Sequence, residues 1–341
     1  MEKRLLKTVR FCASAALAAG LLVACGKGTP VTSGTPTPFP FTPGFRTTFA
    51  IPTKGAKPLG ITVGLGTDAS IWFTEFGASQ IGQLNVNAKL TETPTRTPRS
   101  EPSGICAGPN SDIWFAETGT GKIGLLDTSV YSFVELALGA PGARPVGVAT
   151  GSDGNVWVTD PGTNSIWRVT PGGVSTQYKL TGNAQPTGIV NGSNGSLWFT
   201  EPGTNRIGTI STAGTIAEFP IPTRNSGANQ IIAGVDGYMW FTETKSGKLG
   251  RINVAGHVTN EYKLTGAKTP DGLTQGIDGN FYVTDTVGNQ LVEFKPSNSA
   301  VILFPIPGGN AQPAGITLGP DNQIYIAEPG LNQLGQFTYF P

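Results

Sequence analysis

The chain has 341 residues, with 48 glycines, 27 prolines, 13% charged residues and a formal charge of +1. So many turn-forming residues with so few charges exclude a protein of long helices and fit an all-β one. Loss of an N-terminal segment carrying Glu2, Lys3, Arg4, Lys7 and Arg10 takes the 23 basic and 22 acidic residues to 19 and 21, a balance without the basic excess that a nucleic-acid partner requires.

Residues 1–25 read as a signal peptide, with a basic start, an apolar run through Phe11, Leu17, Leu21 and Val23, and small residues at its end. The run is too short to span a membrane as a helix. It closes on Leu22-Val23-Ala24-Cys25, which resembles the bacterial lipobox, where cleavage precedes a cysteine that becomes lipidated. The expectation is an extracytoplasmic protein held to the bacterial cell membrane by acyl chains on Cys25, each buried methylene contributing ~0.8 kcal/mol. Plain secretion with an incidental cysteine is the alternative. Residues 26–46 are rich in Pro, Thr, Gly and Ser without apolar period, as in a semi-rigid spacer. With Cys12 in the signal and Cys25 modified, Cys106 is left alone, so no intramolecular disulfide is expected and Cys106 reads as a small core residue.

From residue 47 to 341 one pattern recurs, an aromatic followed three positions later by a carboxylate. The pairs are Trp72/Glu75, Trp114/Glu117, Trp157/Asp160, Trp198/Glu201, Trp240/Glu243, Tyr282/Asp285 and Tyr325/Glu328, with steps of 42, 43, 41, 42, 42 and 43 residues. A fixed period of this length marks supersecondary units that are stable only against their neighbours. Each repeat holds four short strand patterns. The first follows Pro-x-Gly, as in Pro186-Thr187-Gly188, except in repeat five, which has Ala228-Asn229-Gln230. Turns such as Asp153-Gly154 lead to the aromatic strand and read as tight hairpins, not calcium loops, because the distal glutamate of such loops is missing. The fourth pattern carries prolines, as in Phe219-Pro220-Ile221-Pro222, which suits an outer edge. These features predict an all-β, seven-bladed β-propeller with four antiparallel strands per blade. Repeat seven runs out before a fourth strand, and Thr48-Phe49-Ala50-Ile51-Pro52-Thr53 matches Glu218-Phe219-Pro220-Ile221-Pro222-Thr223. The N-terminal strand is therefore expected to complete the last blade, with the repeated aromatics packed between blades.

In a propeller the start of the inner strand and the end of the second lie at the same end of the channel. That places Glu75, Glu117, Asp160, Glu201, Glu243, Asp285 and Glu328 beside the residues around the Pro-x-Gly segments. Two readings of the carboxylates stand. They make an acidic channel mouth that binds a divalent cation or cationic ligand and supplies a general acid, or they do one structural job in every blade. A site breaks sevenfold symmetry, so the positions that vary are the discriminating ones: Glu101, Ser103, Arg144, Asn229, Gln230 and Asp271.

The stretch Pro186 to Thr223, with its P-x-G-I, L-W-F-T-E, I-G-x-I and E-F-x-I-P-T segments, resembles the streptogramin B lyase (virginiamycin B lyase) family of seven-bladed propellers. The resemblance implies Mg²⁺-dependent elimination that opens a cyclic depsipeptide, with histidines directly after the proline and nearby glutamates as acid and base. Here Glu101-Pro102-Ser103-Gly104-Ile105-Cys106 keeps the glutamate and has serine at the histidine position, and the chain's one histidine, His257, stands in a turn before an outer strand. A serine hydroxyl cannot take a proton near neutral pH without its own base. The first functional expectation is a membrane-anchored, monomeric lipoprotein that binds a small molecule, a peptide or an envelope protein on its channel face, without nucleic acid and without chemistry. The alternative is an active lyase or a related metal-dependent hydrolase or lactonase that uses Glu101, Asp271 and ring carboxylates, with Mg²⁺ if the family reaction is retained; no metal ligands are assigned.

Overall fold

The structure, a computed structural model, describes residues 42–65 and 69–339. The signal peptide, Cys25 and the spacer as far as residue 41 lie outside the described residues.

The turn before each aromatic strand sets the local geometry. Gly154, Gly237 and Gly279 take φ of 72°, 80° and 79°, which only glycine adopts without strain. The aspartate one residue earlier accepts the polar hydrogen of the aromatic: Trp157 Nε1 donates to Asp153 at 3.2 Å, Trp240 Nε1 to Asp236 at 3.2 Å and the Tyr282 hydroxyl to Asp278 at 2.9 Å. Each of these aspartates also accepts a backbone N–H two residues on. Their oxygens are thus occupied in hairpin and ring placement.

The strands form seven four-stranded antiparallel sheets. Six take their strands in chain order, as in Pro58–Val63, Ile71–Glu75, Gln80–Leu84 and Leu90–Pro94 of blade 1. The seventh is assembled from both ends of the chain. Gly44–Ala50 pairs with Gln333–Thr338, in a register that sets Thr48 opposite Gly335 and Phe49 opposite Leu334. This is the closure expected from the sequence. The ladder begins at Gly44, three residues inside the stretch read as spacer, because the residues without an N–H end at Pro43.

Seven apolar clusters fill the spaces between neighbouring blades among the described residues. Each repeated aromatic contributes to the cluster shared with the following blade; Trp72 packs with Ile105, Ile113 and Phe115, and Tyr325 with Ile71 and Phe73. The aromatic also stacks on a ring of its own outer strand: Trp157 on Tyr178 (5.6 Å), Trp198 on Phe219 (6.0 Å) and Trp240 on Tyr262 (5.6 Å). In blade 7 that ring is Phe49, 6.3 Å from Tyr325, supplied by the N-terminal strand. Cys106 is partly buried, and burial pushes its thiol up to about 12, as befits an inert residue.

The third strand shows volume matching. Where the second strand carries Phe73, Phe115, Phe199 or Phe241, the residue opposite is Gly82, Gly124, Gly208 or Gly250. Where it carries Val158 or Val283, the residue opposite is Trp167 or Val292. A Cβ on Gly208 would lie 2.1 Å from the Phe199 ring and 2.9 Å from Glu201 Oε1. Gly208→Ala is therefore expected to destabilise the protein by about 2–3 kcal/mol through overpacking, lowering the melting temperature by roughly 4–12 °C; an unchanged transition would remove this account of the glycine.

Candidate binding site at the channel mouth

Alternation along the second strand decides where the repeated carboxylates go. In Trp72-Phe73-Thr74-Glu75 the glutamate shares a face with Phe73, the face packed against the preceding blade. All seven carboxylates have zero exposure, and none lines the central cavity. The expected acidic ring beside the channel is corrected in placement: the side chains lie between blades.

Their partners are local. Asp160 accepts the Arg144 N–H (2.8 Å), the Thr163 hydroxyl (2.6 Å) and the Trp167 indole N–H (3.0 Å). Asp285 accepts the N–H groups of Lys268 (2.9 Å), Thr269 (2.7 Å) and Gly288 (3.0 Å) and the Gln290 amide (2.7 Å). Glu117, Glu201 and Glu243 each accept the hydroxyl three residues on, from Thr120, Thr204 and Ser246; Glu328 accepts the Gln333 amide at 2.7 Å. In blades 1, 2, 4 and 5 the space over the third-strand glycine holds a second acid from the outer strand, Glu92, Glu135, Glu218 or Glu261. Burial, with the neighbouring Glu92 adding to it, raises Glu75 to about 8. Burial likewise raises Glu117, Glu201 and Glu243 to about 7, each with its outer-strand acid contributing in the same direction.

The channel wall is made by the inner strands. The residue after each Pro, or its equivalent in blade 5, forms a ring of Leu59, Ser103, Val146, Thr187, Asn229, Asp271 and Ala314 around a cavity of about 230 Å³. Beneath it six blades carry glycine, at 60, 104, 147, 188, 272 and 315. There a Cβ would fall 2.2–2.4 Å from the carbonyl of the next blade, so the blades meet backbone to backbone. Threonines of the second strand stitch this seam: Thr200 Oγ1 accepts the Gly188 N–H at 3.0 Å and donates to Asn229 O at 2.6 Å, and Thr74, Thr159, Thr242 and Thr284 act in the same way. Blade 5 alone has a side chain at the glycine position, Gln230. Its N–H donates to Thr242 Oγ1 at 3.1 Å.

Ring chemistry is unequal around the circle. Asn229 Nδ2 donates to Asp271 Oδ1, and Thr286 Oγ1 lies 3.4 Å from Asp271 Oδ2. Burial raises the Asp271 carboxyl, with these two hydrogen bonds opposing. With Thr187 they make one polar arc, while Ala314 and Leu59 make an apolar one. Ser103 is 5% exposed and its hydroxyl meets Thr118 Oγ1 at 2.7 Å and Val146 O at 3.2 Å, so it bonds across blades with no carboxylate beside it. Glu101 takes a left-handed φ of 48°, its side chain lies over Gly119, and it is outside the cavity wall. Arg144 is exposed on the rim. The structure therefore brings together Asn229, Gln230, Asp271 and Ser103 on the cavity wall and sets Glu101 and Arg144 outside it. Two supporting residues escaped the sequence reading, Thr118 and Thr286. Their signal was available: both directly follow a repeated carboxylate, where blades 3, 4 and 7 have proline.

His257 lies exposed in a third-to-outer strand turn at the opposite end, with its N–H donating to Asn253 Oδ1 at 3.0 Å. The Mg²⁺ implied by the resemblance is not matched by these donors. Asp271 is the single carboxylate on the cavity wall and is already engaged by Asn229. No group of three His, Cys, Asp or Glu able to hold a metal occurs among the described residues.

Sheet order, closure and mouth together define a seven-bladed propeller with a ligand-sized, asymmetric channel opening. Residues 42–131 and 131–340 match the virginiamycin B lyase family, and the chain belongs to that family. Virginiamycin B lyase from Staphylococcus aureus is similar over 86% of this chain and 99% of its own, at 31% identity and a TM-score of 0.81. A catalytically inactive histidine-to-alanine variant of that enzyme, solved with quinupristin, gives 30% identity and the same TM-score and coverage. A further streptogramin B lyase structure gives 30% identity, 86% and 96% coverage and a TM-score of 0.81. No curated protein matches the chain by sequence.

Proposed function

We propose that this chain is a binding member of the lyase family, without the family's catalytic histidines, anchored outside the cytoplasm through Cys25, that holds a small molecule or peptide at the channel mouth. The observation that carries it is the composition of the seven-membered ring. None of its positions is histidine, and its polar groups form one continuous arc, Thr187, Asn229 and Asp271, apart from Ser103, whose hydroxyl is already engaged by Thr118 and Val146 O. In the Staphylococcus aureus relative, the inactive variant differs by one histidine. A ring without any lacks the imidazole that most often carries the proton near neutral pH, and its one carboxyl, Asp271, is engaged by Asn229. What remains suits recognition: a hydroxyl, an amide and a carboxyl facing an apolar side, in a space large enough for one residue-sized part of a ligand.

Family membership favours the lyase reading, and one experiment separates the two. Purified protein is incubated with quinupristin and Mg²⁺, the products are read by mass spectrometry and binding by calorimetry. Binding without ring-opened product, weakened at least tenfold by Asp271→Ala, is the expected result. Ring-opened product that disappears in Glu101→Gln or Asp271→Asn would overturn the proposal in favour of catalysis.

A further inference from the structure

We propose that the loop face around the channel mouth binds an anionic polysaccharide. The near-neutral total charge conceals a segregation of sign between the two ends of the propeller. In blade 1 Pro58 pairs with Glu75, Glu75 with Gln80 and Gln80 with Pro94, so the loops before the inner strand, after the second and after the outer all emerge at one end. Every blade repeats this arrangement, and direct bonds such as Gly104 N–H to Val146 O (2.9 Å) and Gly188 N–H to Asn229 O (3.1 Å) hold the blades level. The loops at that end carry Lys54, Lys57, Arg96, Arg99, Arg144 and Arg224, all exposed. Exposed Lys245 and Lys268 join them.

None of these eight cations has an ion-pair partner among the described residues. Three of the four outer-strand acids already have their own cation, Lys122 with Glu135 (2.8 Å), Arg206 with Glu218 (2.6 Å) and Lys248 with Glu261 (3.9 Å), and the fourth, Glu92, accepts the Thr53 N–H at 3.0 Å. The repeated carboxylates are sealed between blades, which leaves half-buried Glu92, Glu101 at the rim and Asp271 inside the channel against eight exposed cations. At the other end Asp112, Asp127, Asp153, Asp236, Asp278, Glu293 and Asp321 outnumber Lys89, Arg168, Arg251 and Lys295, and two of those cations are paired there, Arg251 with Asp236 and Lys295 with Glu293. Unpaired surface charge of one sign acts over about 10 Å at 0.1 M salt and concentrates ligands of the opposite sign.

The arrangement chooses among anionic partners. The cations belong to blades 1, 2, 3, 5 and 6 and ring the mouth instead of converging, so a chain of spaced charges fits them better than one chelated anion. Exposed large apolar residues gather elsewhere: Val86, Tyr131, Val174, Val235, Val254 and Ile277 are at the acidic end or its turns, and Val287 is the one at the mouth. A lipid surface or a protein hot spot calls for a cluster of exposed apolar anchors, and Val287 alone does not make one. Single-stranded nucleic acid calls for aromatic stacking platforms, and the indoles are buried between blades. Exposed Gln185, Asn310 and Gln312 stand between the cations and offer amides to sugar hydroxyls.

The test uses alginate and dextran sulfate as probes, neutral dextran as control, and compares them with phosphatidylglycerol vesicles and a single-stranded oligonucleotide. Binding to both charged polysaccharides is expected, at least tenfold weaker at 300 than at 50 mM NaCl, and absent with neutral dextran. Arg96→Glu/Arg99→Glu should weaken it at least tenfold with the melting temperature unchanged, while Lys89→Glu, at the opposite end, should leave it intact. Failure to bind either polysaccharide, equal binding of neutral dextran, indifference to the double variant, or tighter binding to vesicles or oligonucleotide would each overturn the proposal. This reading is separate from that of the channel, since quinupristin and the polysaccharides report on different residues.

Discussion

A chain without residues 44–50 is expected to lose its cooperative thermal transition, or to unfold roughly 10–20 °C lower, even though those residues are only one of four strands in one blade. Their removal strips the outer ladder from Gln333–Thr338 and leaves an unpaired edge on the blade that closes the ring against the first. Phe45, edge-on to Phe337 at 5.2 Å, and Phe49, stacked on Tyr325, go with it. At about 2 kcal/mol for each aromatic, with the ladder bonds added, the loss is about 5 kcal/mol, and a domain of this size changes its midpoint by about 2–4 °C per kcal/mol. Asn332 also loses its setting, since its side-chain amide donates to Ile51 O (3.0 Å) and Thr53 O (2.9 Å) just beyond the strand. Circular dichroism against temperature reads the result. An unaltered midpoint would mean that the ring holds without its terminal clasp.

The second large effect is on pH. Glu75 titrates at about 8, and Glu117, Glu201 and Glu243 at about 7, against 4.5 for an unperturbed glutamate. Each binds its proton more tightly folded than unfolded, so their contribution to stability is complete below about pH 4.5 and is lost as pH rises through 7 to 8. Taking from each group the cost of a single pH unit, about 1.4 kcal/mol, the four together remove about 6 kcal/mol. The melting temperature should fall by roughly 10–20 °C between pH 5 and pH 9. Glu75→Gln, which fixes the neutral form in place, should flatten part of that slope and raise the midpoint at pH 8.5. A midpoint that rises with pH, or a glutamine variant with the wild-type slope, would contradict the assignment of these buried acids.

The repeat, the blade number and the closing strand were legible in the sequence because each follows from spacing. Aromatics every 41–43 residues fix the unit, and Thr48–Thr53 matches a fourth strand that repeat seven lacks. The destination of the carboxylates was legible in principle too, since an odd step of three from Trp72 to Glu75 sets them on opposite faces of the strand. What could not be read was the company each side chain keeps across strands. Gly208 beneath Phe199 leaves space for Glu218, whereas Trp167 beneath Val158 does not, and that matching of volumes is made between residues nine or more positions apart. Charge misled for a related reason. A sum over the chain is blind to which end of the sheets a loop emerges from, so Arg96 and Asp112, sixteen residues apart, cancel in the total while lying at opposite poles.

The first strand enters from the acidic pole, where Gly44 pairs with Thr338. Strand 44–50 thus runs from that pole up to the mouth, and the chain reaches the cationic rim, at Lys54, only after it has closed the ring.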